Sequence, residues 1–388
     1  MPTVITADRL WEGGHLVDHP VVLVEDGAVV SIATRDAGEV PPGAMVHVFP
    51  GATLAPSFFD VHFHGAAGHD VMEATPEALG KISAFLATRG TASFLPTTVT
   101  ASLDRTYTAL EGLAKLIAKP PVHGHARPLG IHLEGPFLSH SKRGVQPAEH
   151  LLAPNIEIFD RMLDAAEGHV RLITVAPELP GAPELIQHAT SRGVRVSVGH
   201  SNATSAETQV GIHAGAVSAT HTFNAMRPID HREPGILGTV LIRDEVFAEL
   251  ICDGIHMAPE MVQLWWRCKG PERGILVTDA MSATGMPDGE YQLGGFAVQV
   301  ANGRAMARGV LAGSVLTLDR ALTNFVAFTG ATLEQGLRLL TSNPAHMSGF
   351  ESQAGSLSPG SPANLVAIGE SGKLLGSIVR GKKVSLAP

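Results

Sequence analysis

Two histidines separated by one residue, His62 and His64, lie in the segment DVHFHG (60–65), at the end of a strand-like apolar run. Side chains at positions i and i+2 of a strand point to the same face and lie roughly 7 Å apart. Two such imidazoles can bind one metal ion if further ligands converge on it from elsewhere in the chain. The segment alone is a weak signal, because buried histidines often serve only as hydrogen-bonding residues.

The residues that could complete a metal site also follow strand-like runs. They are histidines and carboxylates, the types that bind divalent metals or transfer protons, and they end the third, fifth, sixth, seventh and eighth runs: Glu134, His200, His221, Asp253 followed by His256, and Asp279. Each has a simpler alternative, since an aspartate after a strand often caps the next helix. Their shared position argues against coincidence, and three ligands with an open position are typical of a catalytic metal site.

Eight β-rich runs in the middle of the chain alternate with helical patterns. The runs cover 55–63, 91–99, 128–135, 170–177, 194–200, 215–221, 246–254 and 274–280. Helices are predicted at 75–90, 102–119, 156–168, 182–193, 258–270 and 316–330, and from the capping box Thr332-x-x-Gln335. This alternation predicts an α/β protein with a (β/α)8 TIM-like barrel, whose active site lies at the C-terminal strand ends. An open doubly wound sheet is the alternative, but no G-x-G-x-x-G segment follows the first run.

The two ends of the chain show a different pattern. Residues 21–34 predict a hairpin around Asp26-Gly27, and residues 364–368 and 377–386 again indicate strands. Neither end is long enough to bury a core by itself. We therefore expect one small β-sandwich domain built from both ends, residues 1–55 and 355–388. The barrel domain is expected to cover residues 56–354.

The composition narrows the classes of partner. The chain has 388 residues, a net charge of −9 and no basic stretch interleaved with aromatics, which argues against a nucleic-acid partner. No run approaches the roughly 20 apolar residues of a membrane span, and the N-terminus lacks a secretory-signal pattern. With only Cys252 and Cys268, no disulfide framework is expected. We expect a cytoplasmic protein without membrane or nucleic-acid partners.

Longer motifs surround the candidate residues. They occur in this order: HLEGPFLSHSKRGVQP (132–147), VGHSNAT (198–204), HTFNAMRPIDHREPG (221–235), DGIHMAPE (253–260), LVTDAMSATG (276–285) and LAGS (311–314). The series resembles the N-acetylglucosamine-6-phosphate deacetylases of the amidohydrolase superfamily, and the resemblance extends over nearly the whole chain. The H-x-H segment alone would indicate only the superfamily. The resemblance implies a metal-dependent hydrolase that removes the acetyl group from an N-acetylated amino-sugar phosphate.

The same resemblance implies how the metal site works. Glu134, His200 and His221 would bind the main divalent metal, with zinc expected first and iron, manganese or cobalt as alternatives. His62 and His64 would bind a second ion bridged by Glu134. With a single ion they would instead be hydrogen-bonding partners around it. A bound divalent metal lowers the pKa of its water toward about 7 and polarises a carbonyl.

Asp279 is the expected catalytic residue. A carboxylate beside the activated water can take its proton during attack and then pass that proton to the departing sugar amine. An amine leaves poorly unless it is protonated, so one residue can serve both steps. The alternative is that Asp279 is only an extra metal ligand.

A phosphorylated substrate also requires an anion pocket. Arg232 and His256 have suitable side chains, as do the backbone N–H groups of Asn224 and Ala225. For Arg232 the alternative is a surface ion pair with a neighbouring carboxylate, Asp230 or Glu233. The resemblance also implies that a second subunit completes the pocket, and hence a homodimer. Further substrate contacts are expected at Val145, Gln146, Asp253, Ala312 and Gly313.

Other functions remain open from the sequence. A deacetylase for the galactosamine-type sugar phosphate would need the same residue types. Cyclic-amide hydrolases of the superfamily usually use a carboxylated lysine as a metal bridge, but the third run ends in Glu134 and the fourth in VAPE (175–178), with no lysine at either position. A barrel protein without catalytic activity would be expected to lack some ligands, and none is missing.

Overall fold

The computed structural model describes residues 2–36 and 40–387, and a parallel β barrel forms its centre. Its strands are β1 Phe58–Phe63, β2 Thr91–Thr98, β3 Ile131–Glu134, β4 Val170–Val175, β5 Arg195–Val198, β6 Ala216–Ala219, β7 Phe247–Ile251 and β8 Gly274–Val277. Each strand pairs in parallel with the next. A bridge between Phe63 and Ala280 connects the first and last strands. The predicted (β/α)8 fold is confirmed.

Helices follow the strands and pack on the outside of the barrel. They are α1 Pro76–Thr88, α2 Leu103–Ile117, α3 Ile156–Ala165, α4 Ala182–Ser191, α5 Ser205–His213, α6 Gly235–Ile242, α7 Pro259–Arg273, α8 Leu318–Thr329, α9 Leu333–Leu340 and α10 Ser342–Ser348. Thr332 forms the capping box of α9 with Gln335, as predicted, and Thr75 caps α1 at the start of its predicted range. No helix among residues 2–36 and 40–387 is long and apolar enough to span a membrane.

The sequence analysis missed α5, α6 and the short α10, and the patterns of α5 and α6 explain why those two were missed. Helix α5 (SAETQVGIH) is largely polar, and α6 (GILGTVLI) is apolar on all sides, so neither shows one apolar stripe. The predicted end of α7 coincides with a break in the helix, because Gly270 has φ 57° and Pro271 follows it. One continuous core joins the helices to the strands, with Phe159 of α3 and Trp265 of α7 fully buried.

Strands from both chain ends form a second sheet of eight strands. They are Thr3–Glu12, His15–Asp18, Pro20–Glu25, Ala28–Thr34, Met45–Pro56, Leu365–Ile368, Leu374–Val379 and Lys382–Val384. The two ends join where Leu365–Ile368 pairs antiparallel with Met45–Pro56. The predicted hairpin at Asp26-Gly27 is present. This sheet has its own buried apolar cluster. The domain limits at 1–55, 355–388 and 56–354 stay a prediction, and Met1, residues 37–39 and Pro388 lie outside the described residues.

An antiparallel insertion between β8 and α8 was not predicted. Its strands are Gly289–Leu293, Phe296–Ala301, Arg304–Ala307 and Val310–Leu311. The pairs Gly294-Gly295, Asn302-Gly303 and Arg308-Gly309 have positive φ at its turns, which is a hairpin signal that the sequence does contain. The insertion contributes to the site, since three of its apolar side chains line the cavity described below: Leu293, Val310 and Leu311.

Candidate active site

Two pairs of histidines meet at the C-terminal end of the barrel with Glu134 between them. We call His62 and His64 the inner pair, and His200 and His221 the outer pair. Glu134 Oε1 lies 3.1 Å and 3.0 Å from the Nε2 atoms of the outer pair and 3.4 Å from His62 Nε2. Glu134 Oε2 lies 3.5 Å from His64 Nε2. None of these residues is more than 5% exposed. The structure thus brings together all five predicted metal ligands.

Asp279, the predicted catalytic residue, joins the cluster from the end of β8. Its Oδ1 lies 3.0 Å from His64 Nε2 and 3.6 Å from His62 Nε2. Burial opposes a charge on Asp279, but the hydrogen bond from His64 and the charge of His62 outweigh burial and lower its pKa. Burial likewise opposes ionisation of Glu134, whose pKa is nevertheless held well below its usual value by His62 and His200. Both groups are therefore carboxylates, ready to accept a metal or a proton.

Two of the imidazoles have their outward-facing nitrogen fixed by a backbone carbonyl. His64 Nδ1 lies 2.9 Å from the carbonyl oxygen of Thr97, and His200 Nδ1 lies 3.0 Å from that of Lys142. A carbonyl oxygen can only accept, so both Nδ1 atoms carry a proton. Their Nε2 atoms face the cluster, which is the usual arrangement of metal-binding histidines.

The cluster attracts positive charge. Burial lowers the pKa of His62 and of His64, but Glu134 and Asp279 outweigh it and raise both values. Protons on Nε2 or a metal cation can supply this charge. Three sets of potential ligand atoms lie within 4.8 Å of one another: Glu134 with His200 and His221, His62 with His64 and Glu134, and His62 with His221 and Asp279. Imidazole and carboxylate ligands suit divalent zinc, iron, manganese or cobalt, so these residues fit such an ion.

The backbone at the strand ends turns three of these side chains inward. His200, His221 and Asp279 each follow the last residue of their strand by two positions and have φ of 46°, 25° and 50°. This left-handed conformation costs a non-glycine residue about 1–3 kcal/mol and is concentrated at functional sites. Backbone hydrogen bonds hold it in place, such as that from Asp279 N–H to the carbonyl of His62 at 3.0 Å.

A cavity of about 780 Å³, including its open mouth, adjoins the cluster. The cavity is lined by Glu134, Asp279, His64 and the outer pair, and by six of the nine residues predicted to contact substrate: Val145, Gln146, Asn224, Ala225, His256 and Gly313.

Two of these lining residues are constrained by the cluster. Gln146 donates from Nε2 to Glu134 Oε2 at 2.7 Å and accepts from the N–H of Thr100 at 2.9 Å, so it also holds Glu134 in place. Gly313 has φ 65°, and a Cβ there would lie 2.9 Å from the carbonyl oxygen of Asp279. Only glycine fits this position without strain.

Arg232 and Ala312, also predicted to contact substrate, lie outside the cavity lining. Arg232 is exposed on the loop after β6, and among the described residues its guanidinium forms no ion pair with Asp230 or Glu233. Ala312 is fully buried in an apolar cluster beside Gly313. Arg232 is thus not brought together with the other predicted phosphate contacts in the described cavity.

Asp253 also lies outside the lining, but it supports His256, which lies within it. Asp253 Oδ2 accepts from His256 Nδ1 at 2.7 Å, and Oδ1 accepts from the N–H of His256 at 2.7 Å. Burial opposes a charge on His256, but the hydrogen bond and negative charge of Asp253 outweigh it and raise the pKa of His256. Asp253 thus favours a cationic imidazole at the cavity wall.

Glu249, a buried carboxylate in the middle of β7, was missed by the sequence analysis. Its Oε2 lies 3.1 Å from His62 Nδ1 and accepts from the backbone N–H of His221 at 3.2 Å. The signal was present, because one acidic residue interrupts the apolar run FAELI (247–251). The predicted site residues all follow strand ends, whereas Glu249 lies two residues before the end of β7.

The family model of the amidohydrolases matches residues 53–384. The chain belongs to the amidohydrolase family. It is 38% identical over 377 residues to N-acetylgalactosamine-6-phosphate deacetylase from Escherichia coli O157:H7, covering 95% of each chain. It is 39% identical over 350 residues to N-acetylglucosamine-6-phosphate deacetylase from Lysinibacillus sphaericus, covering 90% of this chain and 89% of the relative.

A solved structure extends the similarity to the whole fold. It is a mutant of N-acetyl-D-glucosamine-6-phosphate deacetylase from Mycobacterium smegmatis in complex with N-acetyl-D-glucosamine-6-phosphate. The TM-score is 0.91 at 33% sequence identity, and 100% of both chains is covered. The family and the barrel predicted from the motifs are confirmed. The relatives include deacetylases of both amino-sugar types, so similarity alone does not choose between the two sugars.

Proposed function

We propose that this protein hydrolyses N-acetyl-D-glucosamine 6-phosphate to glucosamine 6-phosphate and acetate. The observation that carries the proposal is the convergence of four imidazoles and two carboxylates beside an open cavity at the C-terminal end of the barrel. Deacetylases of amino-sugar phosphates among the relatives support the same reaction.

The proposed cofactor is a divalent metal, with zinc expected first and iron, manganese or cobalt as alternatives. Glu134 and the outer pair would hold one ion, and the inner pair with Glu134 a second. When bound, such an ion polarises the acetyl carbonyl and lowers the pKa of water. The ligand types and spacing support both positions.

Asp279 is the proposed proton carrier. Its carboxylate lines the cavity and contacts His64 at 3.0 Å, so it lies where an acetamide would react. As a water oxygen adds to the acetyl carbon, Asp279 takes the water proton. It then gives that proton to the sugar nitrogen as the C–N bond breaks, releasing a neutral amine.

Recognition of the phosphate is assigned to His256 and to the backbone N–H groups of Asn224 and Ala225. Asp253 would keep His256 cationic. Because Arg232 is exposed and outside the lining of its own cavity, we propose that it completes the phosphate pocket of a second subunit in a homodimer. We also place the enzyme in the cytoplasm, where sugar phosphates are found.

One assay tests the reaction and its specificity. Acetate release is measured with N-acetylglucosamine and N-acetylgalactosamine, each with and without a 6-phosphate, before and after chelation and metal return. We expect the fastest release from the 6-phosphorylated glucosamine sugar and its loss on chelation. Faster release from the galactosamine sugar would favour the specificity of the E. coli relative. Release from metal-free protein would contradict the metal-dependent mechanism.

A further inference from the structure

We infer that Glu249 is a positioning residue that builds the inner metal site and fixes its distance from the outer one. The inference rests on the two-ion site of the proposed function. Glu249 is fully buried in β7, among strands that point their side chains into the barrel. It touches the cluster only through His62 and His221, so its action on any bound ion is indirect.

The first contact sets the orientation of His62. Glu249 Oε2 accepts from the backbone N–H of His221, so it is an acceptor, and His62 Nδ1 at 3.1 Å is the donor that faces it. With its proton on Nδ1, His62 directs the Nε2 lone pair at the cluster, 3.3 Å from His64 Nε2. Two Nε2 atoms at this distance repel each other unless a proton or a metal cation lies between them.

No other described residue replaces Glu249 in this contact. His132 packs edge-on against the His62 ring at 4.8 Å, but its own nitrogens are engaged by the carbonyl of Val61 at 3.1 Å and by Thr174 Oγ1 at 2.8 Å. Burial, followed by the charge of His62, lowers the pKa of His132 well below its ordinary value. The carboxyl groups around His62 are therefore those of Glu249 on Nδ1 and of Glu134 and Asp279 near Nε2.

The second contact connects Glu249 to the outer pair. Its side chain accepts from the N–H of His221 at 3.2 Å, and its backbone carbonyl accepts from the N–H of Thr222 at 2.8 Å. His221 has φ 25°, a conformation that surrounding contacts must hold in place. One buried side chain thus contacts a ligand from each pair, across 187 and 28 residues of sequence.

The unpaired oxygen of Glu249 supports an electrostatic role. Oε1 is buried and has no hydrogen-bond partner among the described residues. The two N–H donors are both accepted by Oε2. The single oxygen of a glutamine side chain could accept the same two hydrogen bonds, so these contacts alone do not require a carboxylate. A carboxylate adds a negative charge next to His62, and such partners make an imidazole a stronger metal ligand.

Metal titration separates this role from a purely structural one. Metal-free protein is titrated with Co²⁺, whose absorption reports on each equivalent bound, for wild type, Glu249→Gln and Glu249→Ala. Wild type should bind two equivalents. Glu249→Gln should weaken one equivalent about 10- to 100-fold, the usual span for such partners, and leave the other within about threefold. Glu249→Ala should weaken the same equivalent at least as much.

Ser197→Ala provides the matched control. Ser197 is fully buried on β5 and accepts from Thr220 Oγ1 at 2.7 Å without touching a ligand. The Ser197→Ala variant should lose some thermal stability and still bind both equivalents of Co²⁺. The inference is overturned if Glu249→Gln only lowers the melting temperature as Ser197→Ala does, or weakens both equivalents equally.

The two proposals fail in different ways. If wild type binds a single Co²⁺ yet releases acetate from the sugar phosphate, the role of Glu249 is wrong and the proposed reaction stands. If wild type binds two ions, loses one in Glu249→Gln and releases no acetate from any sugar tested, the inner site is correct and the proposed reaction is wrong.

Discussion

The inner and outer histidine pairs have similar burial but different supports. The inner pair belongs to β1 and its end, and its Nδ1 atoms face a carboxylate of β7 and a carbonyl of β2. The outer pair lies in loops after β5 and β6 with positive φ. There His200 is held by the carbonyl of Lys142 on another loop, and His221 Nδ1 is buried without a partner among the described residues.

The inner pair is thus held in position mainly by strands of the barrel, and the outer pair by loops. Strand positions are determined by the barrel, so the inner pair is pre-organised as soon as the barrel closes. The loops that carry the outer pair also carry the residues facing the substrate cavity, such as Asn224 and Ala225. We therefore expect catalysis and substrate recognition to depend more strongly on the outer half.

Asp279 connects the inner pair with the cavity, because it contacts His64 and also lines the cavity. Its substitution should therefore have the largest effect. Asp279→Asn keeps the shape but cannot take up a proton. We expect the turnover number to fall about 100- to 10,000-fold, the span usual for lost acid–base help, while sugar phosphate still binds. Steady-state kinetics and substrate binding by calorimetry check this. Turnover within about threefold of wild type would remove Asp279 from the catalytic role.

A direct comparison of the pairs uses one substitution in each. We expect His221→Asn to lower kcat/KM about 100-fold and His62→Asn about 10-fold, within the span of metal-site changes, because the outer pair lines the cavity and His62 does not. Metal content measured on the same samples shows which equivalent is lost. Equal losses of activity in the two variants would mean that catalysis depends equally on the inner and outer pairs.

The convergence of the candidate ligands could be predicted from the sequence because each stands alone at the end of an apolar run. His200, His221 and Asp279 are the polar residues at which strand patterns stop, and parallel strands of a barrel end on one face. Their convergence therefore follows from local patterns and fold class. The capping of α1 by Thr75 was predictable for the same reason, since it needs only neighbours in sequence.

Features that depend on distant contacts were not predictable in this way. The pairing of Glu249 with His62 spans 187 residues, and no local pattern specifies it. The position of Arg232 outside the cavity and of Ala312 in an apolar cluster depends on how loops fold back over the barrel. The insertion at 289–311 is different, because its glycine-containing turns were visible in the sequence.

Substitution of Arg232 tests whether phosphate recognition includes this exposed part of the loop after β6. Arg232→Ala should raise KM for the 6-phosphorylated substrate about 10-fold, since a hydrogen bond to a charged group is worth about 1.5–3 kcal/mol, and leave hydrolysis of the unphosphorylated sugar unchanged. Arg192→Ala is the control, as that residue pairs with Asp160 at the end of α4. An equal change for both sugars would argue against a phosphate contact.

The pH dependence of phosphate recognition is the smallest expected effect. Because Asp253 raises the pKa of His256, the imidazole is cationic below that raised value and loses its charge as pH rises through it. KM for the phosphorylated substrate should therefore increase about threefold to tenfold at high pH, the difference between a charged and a neutral hydrogen bond. Asp253→Asn should move this increase to lower pH, since the imidazole then loses its negative partner. Kinetics between pH 6 and 9 with both sugars check this, and an unshifted profile in the variant would show that recognition by the outer loops does not depend on the charge of His256.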